Sequence, residues 1–176
     1  MIVFAGCYVP WELQALYHGN GLADEAGEGE MVVLYVLFGS WLALRGVGAL
    51  GVQTLASWHA SARFALAVMF VFTGIAHFTK TKHDMARMIP KVFARPMLMV
   101  YVTGVCELLG AAGLIEPRTR VLASAALIVL MAAMFPANIK AAREGLTIRG
   151  RLATPLWLRA PMQVLFIGLL WWVGLN

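Results

Sequence analysis

Five residues of this chain could hold or protonate a small polar group in otherwise apolar surroundings: His77, Glu107, Asn138, Arg159 and Gln163. Imidazole and carboxyl groups accept, donate and pass protons, while amides and a guanidinium fix carbonyls or anions. Ionisable groups within apolar helices are costly, so they normally face a bundle interior and have partners there. Glu107 lies deepest, ten residues past Met97. That is ~15 Å at 1.5 Å per residue, near the middle of a ~30 Å hydrocarbon layer. Gly104, Leu108 and Ala111 share its helical face, and small residues there let a second helix come close. Two roles compete for Glu107: a hydrogen-bonded carboxyl that locks helices together, or a group that handles a ligand or a proton. Arg45, ~21 Å along its own helix from Met31, is the expected partner of Glu107 in a structural ion pair. The alternative is that Arg45 snorkels its charge outward.

Long apolar helices must bring these residues together. The sequence is 61% hydrophobic and 13% charged, with a mean hydropathy of +0.77. Soluble domains carry about 25% charged residues, so this chain cannot cover a soluble surface of its size. Five runs approach the ~20 residues that cross a bilayer as a helix. They are Met31 to Val52, Ala62 to Thr79, Met97 to Ile115, Val121 to Ile139 and Leu156 to Leu175. The fold class expected is therefore all-α, a polytopic membrane helix bundle. Its organisation is an acidic, interfacial leader over 1–30 followed by the bundle over 31–176. Met1 to Tyr17 is too short and polar to span, and suits an interfacial helix or a mobile arm. It lacks the basic start and cleavage site of a signal peptide.

Lys80, Lys82, Arg87, Lys91 and Arg95 lie between the second and third runs; Lys140, Arg143, Arg149, Arg151 and Arg159 precede or open the last. Only Arg63, Arg118 and Arg120 fall on the other side. The positive-inside rule puts the loops over 80–95 and 140–159 in the cytoplasm, with the N-terminus inside and the C-terminus outside. His77, Asn138, Arg159 and Gln163 then collect at the cytoplasmic end of their helices. The segment around Met88 and Pro90 is expected to form an amphipathic helix on the headgroups, touching anionic membrane lipids.

Other chemistries find little support. The net charge of +5 is confined to loops, without the aromatic–basic interleaving of a nucleic-acid binder. Cys7 and Cys106 stand far apart with no C-x-x-C, which argues against a thiol relay or zinc, and Cys106 is expected to be a buried, inert thiol. No metal site is expected, because His77 has no second ligand at metal spacing and His83 is weak evidence. Met85, Met88, Met97 and Met99 read as apolar filler.

The segments Phe72-Thr73-Gly74-Ile75-Ala76-His77-Phe78, Met88-Ile89-Pro90 and Gly104-Val105-Cys106-Glu107-Leu108-Leu109-Gly110 carry a wider pattern. It continues through Pro117-Arg118-Thr119-Arg120, Phe135-Pro136-Ala137-Asn138 and Leu158-Arg159-Ala160-Pro161-Met162-Gln163. In order and spacing this resembles the DoxX family of small membrane proteins. The resemblance implies a four-helix core over about 62–175, with the first helix and its Arg45 as an addition. It carries polar motif positions onto His77, Glu107, Asn138, Arg159 and Gln163. Some members of that family are associated with thiosulfate:quinone oxidoreduction or membrane oxidoreductase complexes, while distant relatives act as chaperones or receptors.

Two functions follow as expectations. One is an accessory subunit of a quinone-linked oxidoreductase system in the bacterial inner membrane. There His77, Arg159 and Gln163 would bond a quinone carbonyl and Glu107 would move protons. Having no intrinsic cofactor pattern of its own, such a subunit needs a redox partner. The other is a non-enzymatic membrane binder or assembly factor for a lipophilic ligand or a partner complex. Transport is weaker, since five crossings would require a homodimer and no inverted repeat is visible.

Overall fold

The computed structural model describes residues 22–148 and 151–175. Helix α1 runs over Leu22–Ala49 and ends in a short 3-10 turn, Gln53–Leu55. Helix α2 covers Trp58–Ala76 and α3 Lys82–Met88; α4 and α5 follow over Pro96–Ile115 and Arg120–Arg143. Two-residue strands β1 (Thr147–Ile148) and β2 (Arg151–Leu152) pair antiparallel, and α6 spans Leu156–Leu175. Five of these helices have segments long and apolar enough to cross a membrane: Met31–Ala49, Trp58–Ala76, Pro96–Ile115, Arg120–Arg143 and Leu156–Leu175. The chain is a polytopic helical membrane bundle.

The acidic run from Asp24 to Glu30 is helical and continuous with the first span, since α1 begins at Leu22, while the segment apolar enough to cross a membrane begins at Met31. The interfacial segment expected over Met1 to Tyr17, and Cys7 with it, lies outside the described residues.

Helix α2 packs on α4 and α6, and α5 packs on the same two helices, so α2, α4, α5 and α6 close a four-membered ring. Helix α1 sits outside that ring against α2. In lipid no hydrophobic force drives helices together, so close packing and interhelical hydrogen bonds must do it. The core is a column of side chains from all five spans, with Leu37, Leu66, Phe70, Leu114, Leu127 and Leu170 fully buried. Tyr35, Leu109, Leu122 and Val164 point outward as a lipid-facing surface. Cys106 belongs to that surface and is exposed, contrary to expectation. One residue is a 100° turn around a helix, so a neighbour of the inward Glu107 can lie beside Val102, Val105 and Leu109 on the outer face.

Glycines set the tightest contacts. A Cβ on Gly48 would collide with the backbone carbonyl of Leu55, and this close approach lets α1 turn back towards α2. Ser57 caps α2 by accepting from the Ala60 N–H at 3.0 Å. Beside that cap the Trp41 indole donates to the Trp58 carbonyl and to Ser61 Oγ, each at 3.2 Å, fastening α1 to α2. Trp172 of α6 completes the aromatic group, 6.2 Å from Trp41.

At the opposite end lie the basic loops. Helix α3 has seven residues, too few to be stable alone. Lys140 of α5 holds its end by donating to the carbonyls of Arg87 at 2.6 Å and Ile89 at 2.9 Å. A cation there also suits the negative end of the helix dipole. Arg87 in turn donates to the Thr147 carbonyl at 2.9 Å, tying α3 to the hairpin. Lys140→Met is expected to leave the spanning helices intact but to speed amide exchange across α3 about 30-fold, the equivalent of losing ~2 kcal/mol of charge-assisted bonding. Unchanged exchange by mass spectrometry would show that the clamp carries no weight.

Candidate functional site

Glu107 is the twelfth residue of α4 and only 3% exposed. Its Oε2 accepts the Thr73 hydroxyl at 2.7 Å, joining α4 to α2. One turn on, His77 caps the C-terminal end of α2, and its ring lies within electrostatic reach of Glu107. His77 Nδ1 is 3.0 Å from the Thr73 carbonyl. A carbonyl can only accept, so Nδ1 carries a proton and Nε2 is the ring atom left to meet a ligand. Among the described residues neither His77 Nε2 nor Glu107 Oε1 has a hydrogen-bond partner.

The glycines beside these groups explain the geometry. A Cβ on Gly104 would lie 2.5 Å from His77 Cβ, so only glycine leaves room for the histidine against α4. Reciprocally, a Cβ on Gly74 would lie 2.9 Å from Leu108 and 3.3 Å from the Gly104 carbonyl. Helices α2 and α4 therefore approach through Gly74 and Gly104, which brings Thr73, His77 and Glu107 into one group. Lys82 and Tyr101 close the neighbouring turn, Nζ donating to the phenol oxygen at 2.9 Å. A concave depression lined by Thr79, Lys80, Thr81 and Asp84 opens just beyond the end of α2.

The other three expected residues form a second group, between α5 and α6. Arg159 Nη1 donates to Asn138 Oδ1 at 3.0 Å, Asn138 Nδ2 to Gln163 Oε1 at 3.5 Å, and Gln163 Nε2 to the Met131 carbonyl at 2.9 Å. Pro136, in the same stretch of α5, has no N–H to give the Ala132 carbonyl, so the ladder there is one bond short. Each amide both accepts and donates within this relay, which ties α6 to α5. The five residues therefore divide into two separate groups, one between α2 and α4 and one between α5 and α6.

The expected ion pair between Arg45 and Glu107 is not formed. The Arg45 guanidinium lies over the Trp58 ring at 5.2 Å, at the end of α1 remote from Glu107's partners. Depth along a helix placed the two charges at comparable levels, but α1 packs on α2 and so presents Arg45 to Trp58. Thr73 was missing from the expected set, although it stands four residues before His77 on the same helical face. A hydroxyl one turn from a histidine was the available signal.

No curated protein and no solved structure matches the chain. The family model described as "Domain of unknown function (DUF8561)" matches residues 66–174. That stretch begins after α1 and contains most of the four-helix ring, both polar groups and the glycine contact between them. The match covers more than half of the sequence, and the chain belongs to the DUF8561 family.

Proposed function

We propose that this protein is a DoxX-like membrane subunit that holds the head group of a quinol-class lipophile between α2 and α4, serving a quinone-linked oxidoreductase system through a separate redox partner. In this reading the basic loops face the cytoplasm of a bacterial inner membrane. The observation that carries it is a pair of polar atoms, His77 Nε2 and Glu107 Oε1, without partners among the described residues, on side chains buried at one helix contact. With its Nδ1 proton committed to the Thr73 carbonyl, His77 meets the ligand at Nε2; in this proposal Nε2 accepts a quinol hydroxyl, a donor that a quinone carbonyl lacks. Glu107 offers a second oxygen, held in place by Thr73. A bound quinol would supply the two-electron chemistry; the chain orients its hydroxyl and takes up a proton at these two atoms. Asn138, Arg159 and Gln163 act as the brace that keeps α6 in register.

The test is equilibrium binding of a short-chain ubiquinol, and of its oxidised form, to the full chain in nanodiscs. Wild type should prefer the reduced form, and His77→Phe or Glu107→Gln should each weaken its binding about 10-fold or more, the loss of one buried hydrogen bond to a polar group. Equal affinity for both oxidation states, or indifference to both substitutions, would sink the proposal. Copurification of a protein partner without any lipophile would favour the assembly-factor function instead.

A further inference from the structure

The end of the bundle remote from the basic loops holds two arginines without counterions among the described residues. Arg63 lies in the second turn of α2, and Arg120 opens α5. The last turns of α6 bring these elements together. His59 Nε2 is 2.8 Å from the Trp172 carbonyl, while Gly174 packs directly against Ser124 and near the Arg120 carbonyl. Arg63 and Arg120 fall within electrostatic range of each other, and like charges there repel.

Nothing in the described residues relieves that repulsion. The Nε atoms of both arginines are shielded from solvent and lack a hydrogen-bond partner. Neither guanidinium has a carboxylate at ion-pair distance among the described residues. Glu116, the acid in the adjoining loop, is exposed, and its Oε1 accepts from the Arg118 backbone N–H at 3.4 Å. The Arg63 guanidinium rests over the Phe64 ring at 5.5 Å, which orients it without neutralising it. Ser124, one turn beyond Arg120 on the same face, is fully buried with its hydroxyl also unpartnered. Two guanidinium Nε–H groups and a hydroxyl, all shielded from solvent, form a donor set without an acceptor among the described residues. Buried polar groups are nearly always paired, so such an excess of donors calls for an external acceptor.

We propose that Arg63 and Arg120 bind a phosphate-class oxyanion at this end of the bundle. Guanidinium forks match phosphate oxygens in pairs, and an anion between them turns mutual repulsion into two attractions. The same chemistry is offered by free inorganic phosphate and by the phosphodiester of an anionic lipid. This site is independent of the quinol site, which lies at the other end of α2.

Two measurements on the full chain separate these sources. The first is equilibrium dialysis of radiolabelled inorganic phosphate against protein in phosphatidylcholine nanodiscs, at constant ionic strength with chloride as the balancing anion. The second is native mass spectrometry of lipids retained from nanodiscs of mixed phosphatidylcholine and phosphatidylglycerol. Saturable phosphate binding identifies a free anion; selective retention of phosphatidylglycerol identifies a lipid. Either result supports the site if Arg63→Gln and Arg120→Gln each weaken it about 10-fold or more, while Arg118→Gln, the same charge change on an exposed loop residue, does not. Thermal unfolding checks that the variants fold, and it adds a sign. Without an anion, removing either arginine should stabilise by ending the repulsion; with the anion bound it should destabilise. Absence of both phosphate and phosphatidylglycerol binding, or binding that Arg118→Gln weakens equally, overturns the proposal.

Discussion

Replacing Glu107 with Met is expected to stabilise the bundle while abolishing ligand binding between α2 and α4. An ionisable side chain at the centre of a spanning helix costs up to about 2.5–3.5 kcal/mol on insertion scales, whereas Met is accepted by lipid and core alike. The one protein bond that Glu107 makes is the Thr73 hydroxyl at 2.7 Å, a contribution of about 1–2 kcal/mol. Losing that bond does not strand the threonine. Its Oγ1 also lies 3.2 Å from the Met69 carbonyl and 3.3 Å from the Phe70 carbonyl, so the hydroxyl proton turns back into its own helix. The expected balance is a gain of about 0.5–2.5 kcal/mol for Glu107→Met, from the difference between those magnitudes. Reversible unfolding in bilayers would measure it. This separates the two roles the carboxyl could play. A helix lock must lose stability on substitution; a group kept for its chemistry gains stability and loses binding. A destabilised Glu107→Met would return Glu107 to a purely structural role.

Gly104→Leu is expected to destabilise the ring strongly. The new Cβ would sit 2.5 Å from His77 Cβ, an atom fixed to the backbone that no rotamer change can withdraw. Helices α2 and α4 must move apart, at about 3 kcal/mol, the upper part of the range for overpacking. Parting them also unseats His77 from Glu107, so quinol binding should fall with stability. Gly39→Leu is the matched comparison, because a Cβ there meets nothing within 4 Å. Its effect should stay within about 0.5 kcal/mol, as for other surface substitutions. Similar unfolding midpoints for the two variants would mean that the glycine contact does not define the helix spacing.

The particular residues divide according to the reach of the forces that place them. Thr73, His77 and Gly74 share one helix, and their common face follows from the 3.6-residue period alone. Met31–Ala49 and the four later spans were legible because lipid demands unbroken apolar length and backbone bonds closed within each segment. The hairpin at Thr147–Leu152 was not legible, since strands of two residues carry no period to detect. Arg45 shows the limit most directly. Its depth was readable, its neighbour was not, because depth along one helix says nothing about which helix packs beside it.

By itself, then, the sequence determined that this chain crosses a membrane five times and that its basic loops share one side. It also determined that Glu107 lies near the middle of its span. These depend on local composition and the rise of a helix, which each segment settles alone. Only the tertiary structure decided that Glu107 meets Thr73 and lies near His77, and that Asn138 bonds both Arg159 and Gln163. It alone gathered Arg63 and Arg120 at the far end, with no acid paired to them among the described residues. Lipid favours no helix face strongly over another, so partner choice rests on where glycines allow close approach and where hydrogen bonds can close between helices. Those conditions involve residues far apart in sequence, as in the Thr73–Glu107 and Asn138–Arg159 bonds, and they exist only once the ring has closed.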